Sequence, residues 1–414
     1  MAERCTVLII GGGPAGLAAA LELHKLGVRG VRVVEREAEA GGVPRLCHHT
    51  GFGWGDWRRL YSGPAYAQVY RQRTRAAGVD VQTSTMVTGW VGPRAVTVTS
   101  PTGIRTLEAD AVLLATGCRE RPAAARLTAG DRPLGVFTTG ALQHFTHEHG
   151  QRLGRRAVVV GAELVSLSAV LTLAGAGVEV AAMVTEHPHH QIYFPFSAVL
   201  WYALHGLGVK LITKGRVSRL DGHRRLEAVE YTHVESGEVA ALACDSVIFS
   251  GGWIPEHELA RSGGLLLDRA SLGPQVDTGL HTSAPGVFAA GNLLRGAQTA
   301  DQAALEGRRA AHSIAQFLRG SPWPQGGSRI EVEPPLAWVT PNWVSPAIAA
   351  RETQFVFQTT RFAQRGEVQL YQGDQLLLRR AWGQLMPNRP YYLAGHWLSS
   401  VAGEGAPLRL VLAE

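Results

Sequence analysis

The hydrophobic positions near the start of the chain form two short runs separated by a helical pattern. Residues 7–10 are apolar and rich in β-branched side chains, which is typical of a buried parallel strand. Apolar residues then recur at helical spacing over 17–26, and the pattern stops at Gly27. A second apolar run, 31–34, ends on Glu35. The pattern therefore predicts strand, helix and strand, in the order of a nucleotide-binding fold.

A glycine-rich turn joins the first strand to the helix and has the form G-x-G-x-x-G. Gly11 allows the tight turn, Gly13 lets the backbone approach a pyrophosphate, and Gly16 lets helix and strand pack closely. The helix N-terminus attracts phosphate, and Glu35 can accept a hydrogen bond from a ribose hydroxyl. The sequence thus predicts a dinucleotide site at Gly11, Gly13, Pro14, Ala15, Gly16 and Glu35.

The same pattern recurs from Arg156 with different chemistry. In this second turn only Gly161 is kept, Glu163 stands where the second glycine belongs, and Ser166 replaces the third. A carboxylate at position 163 would repel a pyrophosphate. After the next strand, 178–184, Thr185 stands where the ribose-binding acid is expected. We interpret this repeat as a nicotinamide-binding fold that has lost most of its ligand-binding residues, with NAD(P)H binding as the alternative.

Alternating apolar and polar positions dominate the chain after a linker rich in proline and glycine at 321–327. Runs such as 354–357, 368–371 and 408–412 predict strands, and Gly373-Asp374 predicts a hairpin turn. The predicted fold class is α/β, with two Rossmann-like nucleotide-binding domains, the second inserted in the first, plus a C-terminal all-β domain that resembles a sandwich. The predicted boundaries are 1–120 with 255–320 for the first domain, 121–254 for the second and 328–414 for the third.

Composition and charge make several classes of function unexpected for this chain. The formal net charge of +6 comes from arginines spread along the 414 residues, without a basic run interleaved with aromatics, so nucleic acid binding is not expected. No apolar stretch is long enough to cross a bilayer, and the first strand begins too early for a signal peptide. Four dispersed cysteines give no disulfide framework, which predicts a cytoplasmic location.

Three further motifs carry a resemblance to a known superfamily. Arg36 and the Gly41-Gly42 pair follow Glu35, a strand ends in Ala115-Thr116-Gly117, and a later strand ends in Gly291-Asn292. With these motifs, roughly the first three quarters of the chain resembles the glutathione-reductase-like FAD oxidoreductases. The resemblance implies FAD, with Thr299 and Ala300 at a helix end that faces the flavin. The residues implied for FAD binding are Gly11, Gly13, Pro14, Ala15, Gly16, Glu35, Arg36, Gly42, Arg45, Val87, Ala115, Thr116, Gly117, Gly291, Asn292, Thr299 and Ala300.

The segment expected beside the flavin contains Arg45, Cys47, His48 and His49. Disulfide reductases of this superfamily carry a cysteine pair here, and the single Cys47 rules out that dithiol mechanism. Cys47 cycling through a sulfenate is one interpretation, and a packed thiol is the favoured one. His48 or His49 is interpreted as a polar wall of the flavin pocket, and no metal site is predicted because adjacent residues rarely face one ion. The catalytic residue is unknown, with Cys47 and His48 as the only candidates.

The chain most resembles the FAD-carrying larger subunits of the hydrogen cyanide synthase, opine, proline and hydroxyproline dehydrogenase group. The motifs that carry this resemblance are Gly42-Val43-Pro44-Arg45, Cys47-His48-His49, Ser62-Gly63-Pro64 and the turn from Gly161 to Ser166. It implies a second flavoprotein that oxidises a small amine or imine, and a small 2Fe-2S protein. This chain has no cysteine after Cys244, so no Fe-S cluster is expected in its C-terminal domain. The alternatives are a free-standing NAD(P)H-dependent FAD oxidoreductase and a non-catalytic FAD-binding scaffold.

Overall fold

The structure is a computed structural model, and it describes residues 2–345, 353–402 and 406–413. Short 3-10 and π-helical turns connect many of the regular elements. The helices of the described chain are α1 (Pro14–Lys25), α2 (Trp54–Trp57), α3 (Gly63–Ala76), α4 (Thr139–Gln143), α5 (Leu164–Gly175), α6 (Ser197–Trp201), α7 (Glu258–Ser262) and α8 (Ala300–Leu318).

The strands fall into three consecutive groups along the chain. The first group is β1 (Glu3–Ile10), β2 (Val31–Val34), β3 (Thr50–Phe52), β4 (Tyr61–Ser62), β5 (Asp80–Gln82), β6 (Met86–Gly92), β7 (Ala95–Ser100) and β8 (Gly103–Leu114). The second is β9 (Cys118–Glu120), β10 (Ala129–Gly130), β11 (Val136–Thr138), β12 (Arg156–Val160), β13 (Glu179–Val184), β14 (Lys210–Ile212), β15 (Gly215–Asp221), β16 (Ala228–His233), β17 (Val239–Ala243), β18 (Ser246–Phe249) and β19 (Trp253–Pro255). The third is β20 (Val287–Ala289), β21 (Ser328–Val332), β22 (Leu336–Thr340), β23 (Trp343–Val344), β24 (Gln354–Thr359), β25 (Gly366–Gln372), β26 (Gln375–Trp382), β27 (Tyr391–Ala394) and β28 (Leu408–Ala413).

The chain forms two compact units, and each is built around a sheet of mainly parallel strands. The first unit comprises residues 1–45, 50–118 and 255–414. Its sheet has the strand order β5-β2-β1-β8-β7-β6, with β20 also paired to β8. Strands β5, β2, β1, β8 and β20 are parallel, so their carboxyl ends meet at one edge. That edge carries the glycine turn after β1 and the motif after β20, and ligands of such sheets bind there.

The second unit comprises residues 46–49 and 119–254. Its parallel sheet has the order β11-β18-β12-β13-β14, and a separate sheet has the order β10-β15-β16-β17. The strand after the second glycine turn, β13, pairs with β12 as β2 pairs with β1. The buried core of this unit includes Val159, Leu173 and Ile248. The sequence repeat is therefore a structural repeat.

The C-terminal strands form two sheets within the first unit, in the orders β23-β21-β28-β25-β26 and β22-β24-β27. Phe355, Phe357 and Trp397 are buried in the core of these strands. Asn342 joins them to the nucleotide-binding part, because its Oδ1 accepts from the Val276 N–H at 2.9 Å and its own N–H donates to Val276 O at 3.2 Å. Within the described residues, no helix is both long enough and apolar enough to cross a membrane.

Candidate functional site

The first glycine turn is held by contacts that only glycine permits. Gly11 has φ +111° and donates its N–H to Val34 O at 2.9 Å. A Cβ on Gly11 would lie 2.3 Å from Ala115 O, and one on Gly16 would lie 2.0 Å from Gly11 O. Larger side chains would therefore push strand, turn and helix apart. Gly11 thus lies close to both Gly16 and Ala115.

The N-terminus of α1 is open. Gly13 is the N-cap residue, Pro14 is the first helical residue, and no described side chain caps this end. A Cβ on Gly13 would meet only Gly42 Cα, at 3.9 Å. Unpaired N–H groups at a helix N-terminus bind anions, and the missing Cβ lets a phosphate come close to the backbone. The residues present therefore fit the pyrophosphate of a dinucleotide.

Glu35 lies at the end of β2, with its side chain turned to the glycine turn. The residue is 7% exposed, and its Oε2 accepts from the Gly12 N–H at 2.7 Å. Its Oε1 accepts from the Glu37 N–H at 2.9 Å. Each carboxylate oxygen keeps acceptor capacity for a ribose hydroxyl. Arg36, in contrast, points outward and lies 3.5 Å from a Glu37 oxygen.

The second signature lies at the end of β8. The Thr116 hydroxyl donates to Glu256 O at 2.8 Å, which ties this loop to the chain where it returns to the first unit. Gly117 has φ +78°, and a Cβ there would have no described atom within 4 Å. Val87 in β6 is 6% exposed. Gly42 lies close to the first turn, because its Cβ would be 2.9 Å from Gly13 Cα.

The third signature, Gly291-Asn292, meets the first turn. Gly291 has φ +77°, and a Cβ on it would lie 2.8 Å from the Cβ of Ala15. The Asn292 Oδ1 accepts from the Gln298 N–H at 3.1 Å, which shapes the loop before α8. Thr299 is the N-cap of α8, and its hydroxyl accepts from the Gln302 N–H at 3.3 Å. The structure thus brings together motifs that are far apart in the sequence.

Two acidic side chains that the sequence does not single out also belong to this region. Asp301, in the first turn of α8, accepts from the Gly53 N–H at 2.7 Å and the Gly55 N–H at 2.8 Å. Burial raises the pKa of the Asp301 carboxyl. Asp56, whose side chain is fully buried, accepts from Tyr66 at 2.8 Å and pairs with Arg308. These contacts fix the segment around α2 against the α8 N-terminus.

Cys47 and His48 belong to the second unit. Cys47 is 8% exposed, and its Sγ lies 3.7 Å from Gln143 Oε1, while the Gln143 amide donates to Ser168 Oγ at 2.7 Å. Burial raises the pKa of the Cys47 thiol to about 11, which disfavours a reactive thiolate. The His48 ring stacks on His147 with 3.8 Å between ring centroids. Arg45 is half-buried and belongs to the first unit, as the last residue of its segment 1–45.

The second turn copies the backbone of the first. Gly161 has φ +133° and donates to Val184 O at 2.8 Å, as Gly11 donates to Val34 O. Thr185 donates its N–H to Ile212 O at 2.9 Å and so takes the place of Glu35. Glu186, one residue later, is exposed and pairs with Arg216 at 2.8 Å. The second copy therefore has the hydroxyl of Thr185, and no carboxylate, at the position that corresponds to Glu35.

Comparison with known proteins gives the family. The family described as pyridine nucleotide-disulphide oxidoreductase matches residues 5–307. The chain belongs to this family. The FAD superfamily predicted from the motifs and the predicted fold class are both confirmed. Within this family the chain is an FAD-dependent oxidoreductase. We use the name FAD cradle for the glycine turn, Glu35 and the Gly291 motif, which are the predicted site for this cofactor.

Two of its relatives are components of larger oxidases. The chain is 28% identical to the alpha component of sarcosine oxidase from Corynebacterium sp. (strain P-1), over 84% of this chain and 37% of the relative. It is also 28% identical to an opine oxidase subunit from Agrobacterium tumefaciens (strain Ach5), over 76% of this chain and 66% of the relative. The chain thus spans just over a third and just under two thirds of these two proteins.

Solved structures share the fold at low sequence identity. T. acidophilum thioredoxin reductase matches 76% of this chain and 99% of its own, with a TM-score of 0.64 at 20% identity. L-proline dehydrogenase from P. horikoshii matches 78% of this chain and 58% of its own, with a TM-score of 0.53 at 18% identity. One fold thus occurs in a protein named as a reductase and in one named as a dehydrogenase, so the fold by itself does not separate the two functions.

Proposed function

We propose that this oxidoreductase is the FAD-carrying electron-relay subunit of a heteromeric amino-acid or imino-acid dehydrogenase, of the proline, hydroxyproline, opine or glycine type. The observation that carries the proposal is the FAD cradle, with an uncapped α1 N-terminus, Glu35 and Gly291 on one sheet edge. The names of the relatives support the heteromeric part, since both are named as subunits, one of a sarcosine oxidase and one of an opine oxidase.

FAD bound in this cradle would supply an acceptor for a hydride or for single electrons. The chain's own groups bind and orient it. The α1 N-terminus would hold the pyrophosphate, Glu35 would accept from the ribose, and Asn292 would bond the ribityl chain. The N-terminus of α8 at Thr299 and Ala300 would offset negative charge on the reduced cofactor through its dipole. In this proposal the partner carries the amine site and deprotonates the amine, so none of the described cradle residues needs to act as a base.

The proposed partners are a second flavoprotein, which binds the small amine or imine, and a small 2Fe-2S protein. The described cysteines Cys5, Cys47, Cys118 and Cys244 form no disulfide with one another, which supports a cytoplasmic location. The C-terminal sheets are proposed to give the partner its docking surface. These sheets belong to the first unit, and Asn342 is hydrogen-bonded to Val276 of its nucleotide-binding part, so a partner bound there would sit on the FAD-carrying unit.

The alternative, a free-standing NAD(P)H-dependent oxidoreductase, is favoured by one observation, the match to a family whose description names a pyridine nucleotide. Stopped-flow spectroscopy separates the two. The FAD-loaded chain is mixed anaerobically with NADH or NADPH, and in parallel with proline, hydroxyproline, opine or glycine in the presence of candidate partner proteins. We expect bleaching of the flavin only in the amine arm with the partner. Bleaching by a nicotinamide without a partner would establish the reductase. No bleaching in any arm would favour a scaffold that keeps FAD without turnover.

A further inference from the structure

The second glycine turn contains a carboxylate at the position where a dinucleotide phosphate binds in this fold. Glu163 is the N-cap of α5, as Gly13 is of α1, and both have extended backbones. At Gly13 this position is open, whereas Glu163 is only 6% exposed and turns its side chain back over the helix end. The first turn therefore presents an open helix N-terminus to an anion and the second presents a carboxylate, although their backbones match.

The Glu163 side chain caps the N-terminus of α5 together with Ser166. Its carboxylate accepts from the backbone N–H of Ser166, and the Ser166 hydroxyl accepts from the Glu163 N–H at 3.3 Å, which completes a capping box. The Ser166 hydroxyl also lies 2.6 Å from Glu163 Oε2. A buried carboxylate on a helix N-terminus occupies the N–H groups and the positive dipole end that a phosphate would otherwise use.

The loop after β18 holds the carboxylate from the other side. The Ser250 hydroxyl donates to Glu163 Oε1, and both residues are buried. Arg126 donates to the carbonyls of Ser250 at 2.8 Å and Gly251 at 2.6 Å, which fixes the backbone of this loop. Glu163 is thus fixed by two hydroxyls and a backbone N–H, and it is not a mobile side chain that a ligand would displace without loss.

We propose that Glu163 closes the second dinucleotide site by acting as a built-in substitute for the pyrophosphate, so that this chain does not bind NAD(P)H. A pyrophosphate in the usual place would meet the carboxylate at contact distance and would leave Ser166 and Ser250 without their acceptor. Thr185 adds to this effect because it supplies no carboxylate for the ribose. The residues thus disagree with the pyridine nucleotide that the family name implies. The inference deepens the proposed relay function and does not depend on which amine is oxidised.

The test measures nucleotide binding directly. NADH, NADPH and ADP are titrated into the FAD-loaded full chain by isothermal titration calorimetry, up to about 1 mM, the upper end of ordinary substrate constants. The double variant Glu163→Gly with Ser166→Gly restores the G-x-G-x-x-G pattern. We expect no saturable binding to the wild-type protein and an affinity at least about tenfold higher in the double variant. Glu163→Gln removes the charge and keeps the size, and it should give a smaller gain.

Controls separate closure of this site from general charge and from misfolding. Glu186→Gln removes a neighbouring exposed carboxylate without opening α5, and it should leave nucleotide affinity unchanged. FAD content and the melting temperature show whether each variant is folded. If the double variant does not fold, the comparison of Glu163→Gln with the wild-type protein provides the test. Saturable NADH or NADPH binding to the wild-type protein would overturn the inference. So would folded variants at Glu163 that bind no better than wild type. Neither result depends on amine oxidation, which the partner assay tests separately.

Discussion

The buried ion pair between Arg295 and Glu306 joins the C-terminal strands to the FAD cradle, and its loss should be costly. Their side chains are 1% and 2% exposed. Glu306 Oε2 accepts from the Gly291 N–H at 3.1 Å, and Arg295 Nη1 donates to Thr340 Oγ1 at 2.9 Å. The substitution Arg295→Met keeps much of the volume, removes the positive charge and leaves Glu306 buried with its charge largely uncompensated.

Removing one partner of a buried pair costs about 3–5 kcal/mol, because the remaining charge stays desolvated. Arg309 lies 4.0 Å from Glu306 and offsets part of this loss, so the lower end of the range is expected. At roughly 2 °C for each kcal/mol in a unit of this size, the melting temperature should fall by about 6 °C. FAD content should fall with it, because Glu306 positions the backbone of Gly291.

The assay is thermal unfolding of the FAD-loaded protein followed by circular dichroism and flavin fluorescence. Adding Glu306→Gln to Arg295→Met removes the stranded charge and should recover most of the loss. The exposed pair of Arg409 with Glu333, 3.0 Å apart, supplies a matched control, and Arg409→Met should cost less than about 1 kcal/mol. A melting temperature for Arg295→Met within about 1 °C of wild type, or no recovery in the double variant, would refute the reasoning.

Three further predictions concern single groups. Glu35→Gln puts an amide N–H against the N–H of Gly12 or Glu37 and removes a charged acceptor, so FAD affinity should fall at least about tenfold in a fluorescence titration of the apoprotein. Cys47→Ala should leave flavin reduction unchanged. The rate at which iodoacetamide alkylates Cys47 should rise with pH towards the raised pKa of the thiol, about 11, and fast alkylation at neutral pH would contradict this. Burial raises the pKa of Asp301 above 3.8, so its native form binds the proton more tightly than its unfolded form does. The stability contribution of this group therefore falls as the pH rises from about 4 through the raised pKa, and Asp301→Asn should flatten that part of the urea-unfolding profile.

The sequence predicts the parts of the cradle that are set locally. Gly11, Gly13 and Gly16 lie within six consecutive positions, and each is needed for a backbone reason, so their roles follow from spacing alone. The spacing of residues does not predict the role of Asp301, because the N–H groups that it accepts from belong to Gly53 and Gly55, far back in the chain. An acid in the first turn of a helix is common, and nothing in its neighbours indicates a distant partner.

The sequence also does not predict the contacts that the C-terminal strands make with the rest of the first unit. Their alternation predicts sheets, and the structure has them. The contact of Thr340 with Arg295 and that of Asn342 with Val276 depend on how two folded parts meet. Short polar side chains such as these are common at strand ends and carry no periodic signal. The C-terminal strands therefore contact the residues that carry the FAD cradle, and this contact is independent of the proposal that they dock a partner.

The two glycine turns provide an internal comparison within one chain. Gly11 and Gly161 make the same backbone hydrogen bond to the neighbouring strand, at 2.9 and 2.8 Å, so the scaffold is not what distinguishes the sites. The difference lies at the N-cap, where Gly13 leaves the helix end open and Glu163 closes it. If the second site is closed, nicotinamide cannot deliver electrons by the route usual for this fold. Electrons would then reach the first site from another donor, and in the proposed relay function that donor is a partner protein.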